Sequence, residues 1–264
     1  MSALLIIAGT DSSGGAGLTR DIAAATAMAR MIPQFAARSL SLRPVVTAVT
    51  VQTNQALQEI YPTPVDGILG QIQAAVETGP ISAVKIGMVG SAAAAEAIAA
   101  TLARLLPPSC PVVLDPVLRS SSGGRLMHAG DLAPLMARAD LITPNLHEAS
   151  QLCPGLHGAV PGGGSSFDPQ HFGMAAQAGQ LHQAGAGAVL IKGGHGTDAM
   201  AVDHLFCDAT HVAFPRPRLK QTKRGTGCTL ATAIAVQLMA AQQIETACRA
   251  AGDYVHEWLK EIPA

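Results

Sequence analysis

Aromatic side chains are scarce in this chain: five Phe, two Tyr and one Trp account for 3% of 264 residues. That scarcity excludes a base-stacking single-strand binder and a β-sandwich built on rings. An excess of one charge is also missing, since 17 basic residues stand against 18 acidic ones for a net charge of −1. With no long run of like charge there is little to neutralise a polyanion, so nucleic acid is not an expected partner. No stretch approaches the ~18 uninterrupted apolar residues of a membrane span. No CxxC pair exists among Cys110, Cys153, Cys207, Cys228 and Cys248, and their odd number reads as reduced thiols. Residues 1–9 have no basic segment and only a short apolar run, unlike a secretory leader. A cytoplasmic protein without a membrane partner is expected.

What the chain does have is aliphatic bulk, with 48% hydrophobic residues, and many turn formers, with 27 Gly and 17 Pro. Disorder is therefore excluded as the main state. Short Val-, Ile- and Leu-rich runs recur with longer Ala-rich segments between them, the βα pattern of a mostly parallel sheet covered on both faces by helices. The clearest strands are 4–8, 45–51, 83–88, 112–117, 141–143 and 188–192. Thr63 is placed to cap a helix opened by Pro64 and closed at Thr78-Gly79-Pro80, and Ser91 to start another that ends before Pro107-Pro108. Further helices are expected over 230–241 and, carrying Trp258, over 249–260. Residues 198–214 read as a small antiparallel hairpin at one edge of the sheet, turning at Cys207-Asp208. The Pro-containing stretch 31–44 and the Gly/Pro/Ser stretch 154–166 read as mobile connections. With no repeat and no long linker, residues 1–264 are expected to form one domain.

Four segments point to chemistry. Residues 8–17, AGTDSSGGAG, follow the first strand and lead into a helix, so the backbone can approach a ligand there. Its spacing is not the dinucleotide fingerprint. Residues 224–229, RGTGCT, put successive N–H groups at the positive end of a helix dipole, where a transferring phosphoryl group is stabilised. Cys228 in that position is expected to have a lowered thiol pKa, or else to be a buried structural cysteine. TPNLHE (143–148) and IKGGH (191–195) each follow a strand, at the carboxyl ends where ligands of open α/β sheets gather. Asn145 and Glu148, three apart at a helix start, are placed to face one magnesium ion or its waters, while Glu148 alone would also serve as helix charge compensation.

Taken in order, AGTDSSGGAG, TAVTVQTN, VKIGMVGS, VVLDPV followed by SSGGRLM, ITPNLHEA, VLIKGGH and GTGCTLATAIA resemble the hydroxymethylpyrimidine/phosphomethylpyrimidine kinases of the ribokinase-like superfamily. The motifs run from residue 4 to about 235. The resemblance implies a three-layer α/β fold and two ATP-dependent transfers, first to 4-amino-5-hydroxymethyl-2-methylpyrimidine and then to its monophosphate, in thiamin synthesis. It implies that Gly9, Asp21, Gln52 and Met88 line the pyrimidine pocket. A carboxamide at Gln52 suits the donor and acceptor edge of an aminopyrimidine. Asp21, read from the residues alone, is equally a solvated surface acid. By the same resemblance Cys228 is the catalytic side chain, and Gly225, Thr226 and Gly227 form the anion hole. Lys192, Asn145 and Thr226 would meet ATP, and Asp115 and Glu148 would hold Mg2+ through water. Lys85 is expected to have a structural salt partner. A homodimer is implied. Two departures from the family pattern stand out: the stretch 31–44, and Lys223-Arg224 where Thr-His is usual. A pyridoxal or pyridoxine kinase and a non-catalytic small-molecule binder remain as alternatives.

Overall fold

The computed structural model describes residues 3–36, 40–120, 124–154, 169–194, 198–208 and 210–261. Strand β1 (Ala3–Ala8) is buried along its whole length, as a continuous apolar run in mid-sheet must be. Its alternate residues serve opposite layers. Leu5 and Ile7 join one cluster with helices α3 (Val65–Glu77) and α4 (Ala92–Leu105), while Leu4, Ile6 and Ala8 join another with α1 (Gly17–Arg30). Hence three layers form, helices on both faces of one sheet.

Beside β1 lie β2 (Ser41–Val46) on one side and β5 (Ile81–Ile86) on the other, both parallel to it. Beyond β5 the parallel run continues through β6 (Val112–Leu114), β7 (Leu141–Ile142) and β8 (Ala188–Ile191). Two antiparallel strands, β9 (Met200–Cys207) and β10 (Thr210–Pro217), complete the far edge of this eight-stranded sheet. The edge hairpin is thus as expected, three residues longer at its end. The short helices α2 (Pro33–Ala36), α5 (Ala133–Met136) and α6 (Leu146–Leu152), with the longer α7 (Pro169–Gln183), connect the strands. Helices α8 (Thr226–Met239) and α9 (Ile244–Lys260) pack with α1.

Several expectations are corrected. The strand read over 45–51 is broken at Thr47, whose N–H bonds back to the Ala8 carbonyl. After that break β3 (Ala48–Gln52) leaves the main sheet and pairs antiparallel with β4 (Leu57–Pro62), which the residues did not suggest. Residues 41–44, read as part of an irregular connection, belong to β2, and 33–36 to α2. Pro64, not Thr63, is the N-cap of α3, because its extended ψ of 143° places it outside the helix. Ser91 caps α4 as expected, accepting from the Ala94 N–H at 3.2 Å. Helices α8 and α9 begin earlier than expected, at Thr226 and Ile244. Most of 154–166, the SSG of 121–123 and His195 lie outside the described residues.

Candidate functional site

All the parallel strands point their carboxyl ends the same way, so the residues just after β1, β5, β6, β7 and β8 converge on one side of the sheet. A cavity of about 810 Å³ lies there.

At one end the cavity is lined by Gly9, Gln52 and Met88. The turn from β1 into α1 doubles back on itself: the Leu18 N–H bonds to the Gly9 carbonyl at 3.0 Å, and Gly17 adopts φ +59° where a Cβ would overlap that carbonyl. Asp11 stiffens the loop by accepting from the Ser13 N–H at 2.9 Å and its hydroxyl at 2.7 Å. A Cβ on Gly9 would sit 3.0 Å from the Met88 sulfur and push that side chain aside. Ser12 anchors the end of β3, its hydroxyl donating to the Gln52 carbonyl and accepting from the Gln52 N–H, each at 2.8 Å. The Gln52 carboxamide itself has no hydrogen-bond partner among the described residues although Gln52 is only 8% exposed.

The other end is charged. Lys192, one residue past β8, reaches Asp115 Oδ1 at 3.0 Å and Glu148 Oε2 at 3.8 Å. Burial works against its ammonium, but these two carboxylates outweigh it and the lysine pKa is raised. Burial and the proximity of Asp115 raise Glu148, against the pull of Lys192. Asn145 and Glu148 form a capping box at the start of α6, each side chain bonded to the other's N–H, at 2.9 and 2.8 Å. The charge-compensating role left open for Glu148 is therefore real, and it also fixes that carboxylate beside Lys192.

Gly225 begins α8 with φ +73° and no side-chain cap, and the first turn holds no acid. The N–H groups at the start of this 14-residue helix carry no side-chain cap, and Gly225, Thr226 and Gly227 line the cavity, where such groups favour an anion. The first turn of the helix stands against the lysine, since a Cβ on Gly227 would lie 3.2 Å from Lys192 Nζ and 3.4 Å from Asp115 Oδ2.

Two placements differ from expectation. Asp21 does not line the cavity and is not a surface acid; it is fully buried, bonded to Lys85 Nζ at 2.7 Å and to the Thr232 hydroxyl at 2.9 Å. Lys85, with Asp21 as the structural salt partner expected of it, is held charged by that carboxylate. Cys228, read either as a thiol acidified by the helix start or as a buried structural cysteine, is half-buried and lines the cavity, and its thiol is pushed up to about 12, not lowered. Burial is the main cause, and the negative charges of Asp21 and Asp115 add to it, against Lys85 and a Gly17 N–H that act the other way.

Residues 216–219 and Val255, His256 and Leu259 of α9 also line the cavity, a role the residues had not disclosed. The spacing of His256 and Leu259, three apart on one helix face, was the available signal, but nothing along the chain says which face meets the sheet edge.

One cavity that joins a neutral recess to a charged end beside the start of a helix, on this three-layer sheet, marks a small-molecule kinase of the ribokinase-like fold. Within that class, residues 11–263 match the family model of phosphomethylpyrimidine kinase. The chain is 34% identical over 261 residues to the hydroxymethylpyrimidine/phosphomethylpyrimidine kinase of Aquifex aeolicus, covering 97% of this chain and 93% of that one. The crystal structure of phosphomethylpyrimidine kinase from Clostridium difficile has a TM-score of 0.76 to it at 29% identity, covering 98% of this chain and 100% of the other. A pyridoxal kinase from Bacillus subtilis, solved as an ADP complex, has a TM-score of 0.77 at 27% identity, covering 96% and 90%. The chain belongs to the phosphomethylpyrimidine kinase family; it is a kinase, and ATP use follows from that membership.

Proposed function

We propose that this kinase transfers the γ-phosphoryl group of ATP to the hydroxymethyl oxygen of 4-amino-5-hydroxymethyl-2-methylpyrimidine, and then a second one to the monophosphate formed, supplying the pyrimidine half of thiamin. The observation that carries this reading is Gln52: a nearly buried, unpartnered carboxamide in the same cavity as the phosphate cradle. The carboxamide, open to the cavity and unused by neighbouring side chains, offers one donor and one acceptor to the amino and ring-nitrogen edge of an aminopyrimidine. Gly9 and Met88 bound the ring. Gly225, Thr226 and Gly227 line the cradle, where main-chain N–H groups meet the charge that spreads over the transferred group. Lys192 and Thr226 hold the nucleotide phosphates, with Asn145 fixing the helix beside them. Cys228, protonated near neutral pH, orients the acceptor hydroxyl rather than taking its proton. Asp21 acts from beneath the pocket by holding Lys85.

The donor set suits Mg2+. Asp115 Oδ2 is not engaged by Lys192, which sits on Oδ1. Two carboxylates plus water and phosphate oxygens are a common magnesium environment, so Asp115 and Glu148 are its proposed holders. When bound, the ion would neutralise charge on the β- and γ-phosphates.

Pyridoxine is the second candidate acceptor, favoured by the likeness to the Bacillus subtilis pyridoxal kinase. The chain is further proposed to work as one domain, residues 1–264, in a cytoplasmic homodimer that binds no nucleic acid; the near-zero net charge supports the last point. Among the described residues no helix is long and apolar enough to cross a membrane. The test is ADP release and product mass with ATP, Mg2+ and each of three acceptors: the aminopyrimidine alcohol, its monophosphate and pyridoxine. Product is expected with the first two. Turnover with pyridoxine alone would transfer the assignment to the second reading, and equal ADP release with and without every acceptor would remove the kinase assignment to small alcohols.

A further inference from the structure

Arg224 immediately precedes the cradle, and its guanidinium gathers three segments that are remote in the chain. Nη2 faces Asp11 Oδ2 at 3.0 Å. Nη1 donates to the Ser13 hydroxyl at 2.6 Å, the Thr53 carbonyl at 3.2 Å and Asn54 Oδ1 at 3.1 Å. Asp11 and Ser13 belong to the loop after β1, whose Gly9 faces the acceptor recess; Thr53 and Asn54 form the β3–β4 turn directly after Gln52. The ion pair is mostly enclosed, with side-chain exposures of 16% for Arg224 and 4% for Asp11. The backbones are pressed together as well: a Cβ on Gly15 would lie 3.3 Å from both Arg224 Cβ and Nη1, and one on Gly225 would overlap the Gly15 carbonyl.

We propose that Arg224 is a positioning residue that locks the acceptor mouth to the phosphate cradle, so that the γ-phosphoryl group meets the acceptor hydroxyl instead of water. This rests on the kinase reading above. The guanidinium divides the work between its two ends, Nη2 pairing in charge with the carboxylate while the two hydrogens of Nη1 are shared among a hydroxyl, a carbonyl and an amide oxygen; a lysine has the charge without the second nitrogen. Loosening the fork frees both walls of the recess and admits water. Water oxygen then bonds to the γ-phosphorus as the bond to the β–γ bridging oxygen breaks, ADP leaves, inorganic phosphate forms and its proton goes to solvent.

The experiment measures ADP and phosphorylated acceptor in the same reaction for the wild type, Arg224→Ala, Arg224→Lys and Asp11→Asn. The wild type is expected to release one ADP per product. Arg224→Ala is expected to raise the acceptor KM about tenfold or more, as loss of an enclosed charge contact does, to leave the ATP KM within about twofold, and to release ADP in clear excess over product. Arg224→Lys and Asp11→Asn should fall between, since each keeps part of the set. A folded Arg224→Ala with unchanged acceptor KM and one ADP per product overturns the proposal; if that variant does not fold, the same two readings on Asp11→Asn decide it. Amide hydrogen exchange needs no substrate and separates the two hypotheses: faster exchange at 11–15 and 53–56 in Arg224→Ala, with the central strands unchanged, supports the lock even where the wild type phosphorylates none of the acceptors. Unchanged exchange in both segments counts against it.

Discussion

Cys228 sits in the first turn of α8, where the dipole alone favours a thiolate. Burial and two nearby carboxylates overrule the dipole, and a thiol at about 12 is neutral across the physiological range. The kcat profile is therefore expected to show no thiol inflection between about pH 7 and 9.5, and iodoacetamide should label Cys228 slowly over the same range. Cys228→Ala should keep its ATP KM and lose about 10- to 100-fold in kcat, the scale of a misoriented reactant, instead of the roughly 10²–10⁴ of a lost general base. A larger loss together with an alkaline inflection would show that a thiolate takes the proton after all. For Gln52 the expectation concerns the acceptor: Gln52→Leu should lower kcat/KM for the aminopyrimidine by about 1–3 kcal/mol in transition-state binding while ATP affinity holds. No change would put the carboxamide outside the recognition step.

Helix α6 shows how a local element serves the site. Seven residues are too few to be a stable helix in isolation, and the reciprocal bonds of Asn145 and Glu148 stabilise its first turn. Asn145→Ala is expected to cost about 1 kcal/mol in urea unfolding. It should also lower activity more than that loss explains, because Glu148 is then free to turn away from Lys192 and Asp115; activity unchanged at fixed Mg2+ would limit the box to a helix cap. This pair was legible along the chain, because a capping box is a spacing. The break at Thr47 was not, since 45–51 reads as one apolar run and the hydrogen bonds of Thr47 to Ala8, Thr63 and Met88 divide it. The β4 strand, LQEIYP, is mostly exposed and carries a weak apolar signal, and its pairing depends on where β3 goes.

Across the whole molecule three deeply buried thiols share one response to alkali. Burial raises Cys110 and Cys153 to about 11 and Cys248 to about 12. Unfolded thiols ionise near ~8.5, so above that pH the unfolded chain loses protons that the folded chain keeps, and ionisation favours unfolding. Stability from these groups is complete below about pH 8 and declines toward pH 11–12, by up to about 1.4 kcal/mol per thiol for each pH unit. Urea midpoints at pH 7.5, 9 and 10 should show that decline, and replacing Cys110, Cys153 and Cys248 with alanine should make it shallower, with Cys228 still contributing. An equal decline in the triple variant would assign alkaline sensitivity to other groups.

Legible along the chain were the layered α/β class, most of the buried strands, the edge hairpin and the motifs that gather at the sheet's carboxyl ends. These are properties of spacing and local chemistry: apolar runs, glycines at tight turns, capping residues and short motifs keep their meaning without the rest of the chain. Only the tertiary structure decided the charge states and the partners. Asp21 is remote from Lys85 along the chain, and nothing near it announces that it is enclosed. The thiol of Cys228 has its proton chiefly because neighbouring elements shut it off from water, with carboxylates from α1 and the end of β6 adding to the effect. Arg224 meets Asp11, Ser13 and Asn54 only because α8 begins where β1 and β3 end. Electrostatic energy depends on distance through space and on exclusion of water, and neither is written in the order of residues.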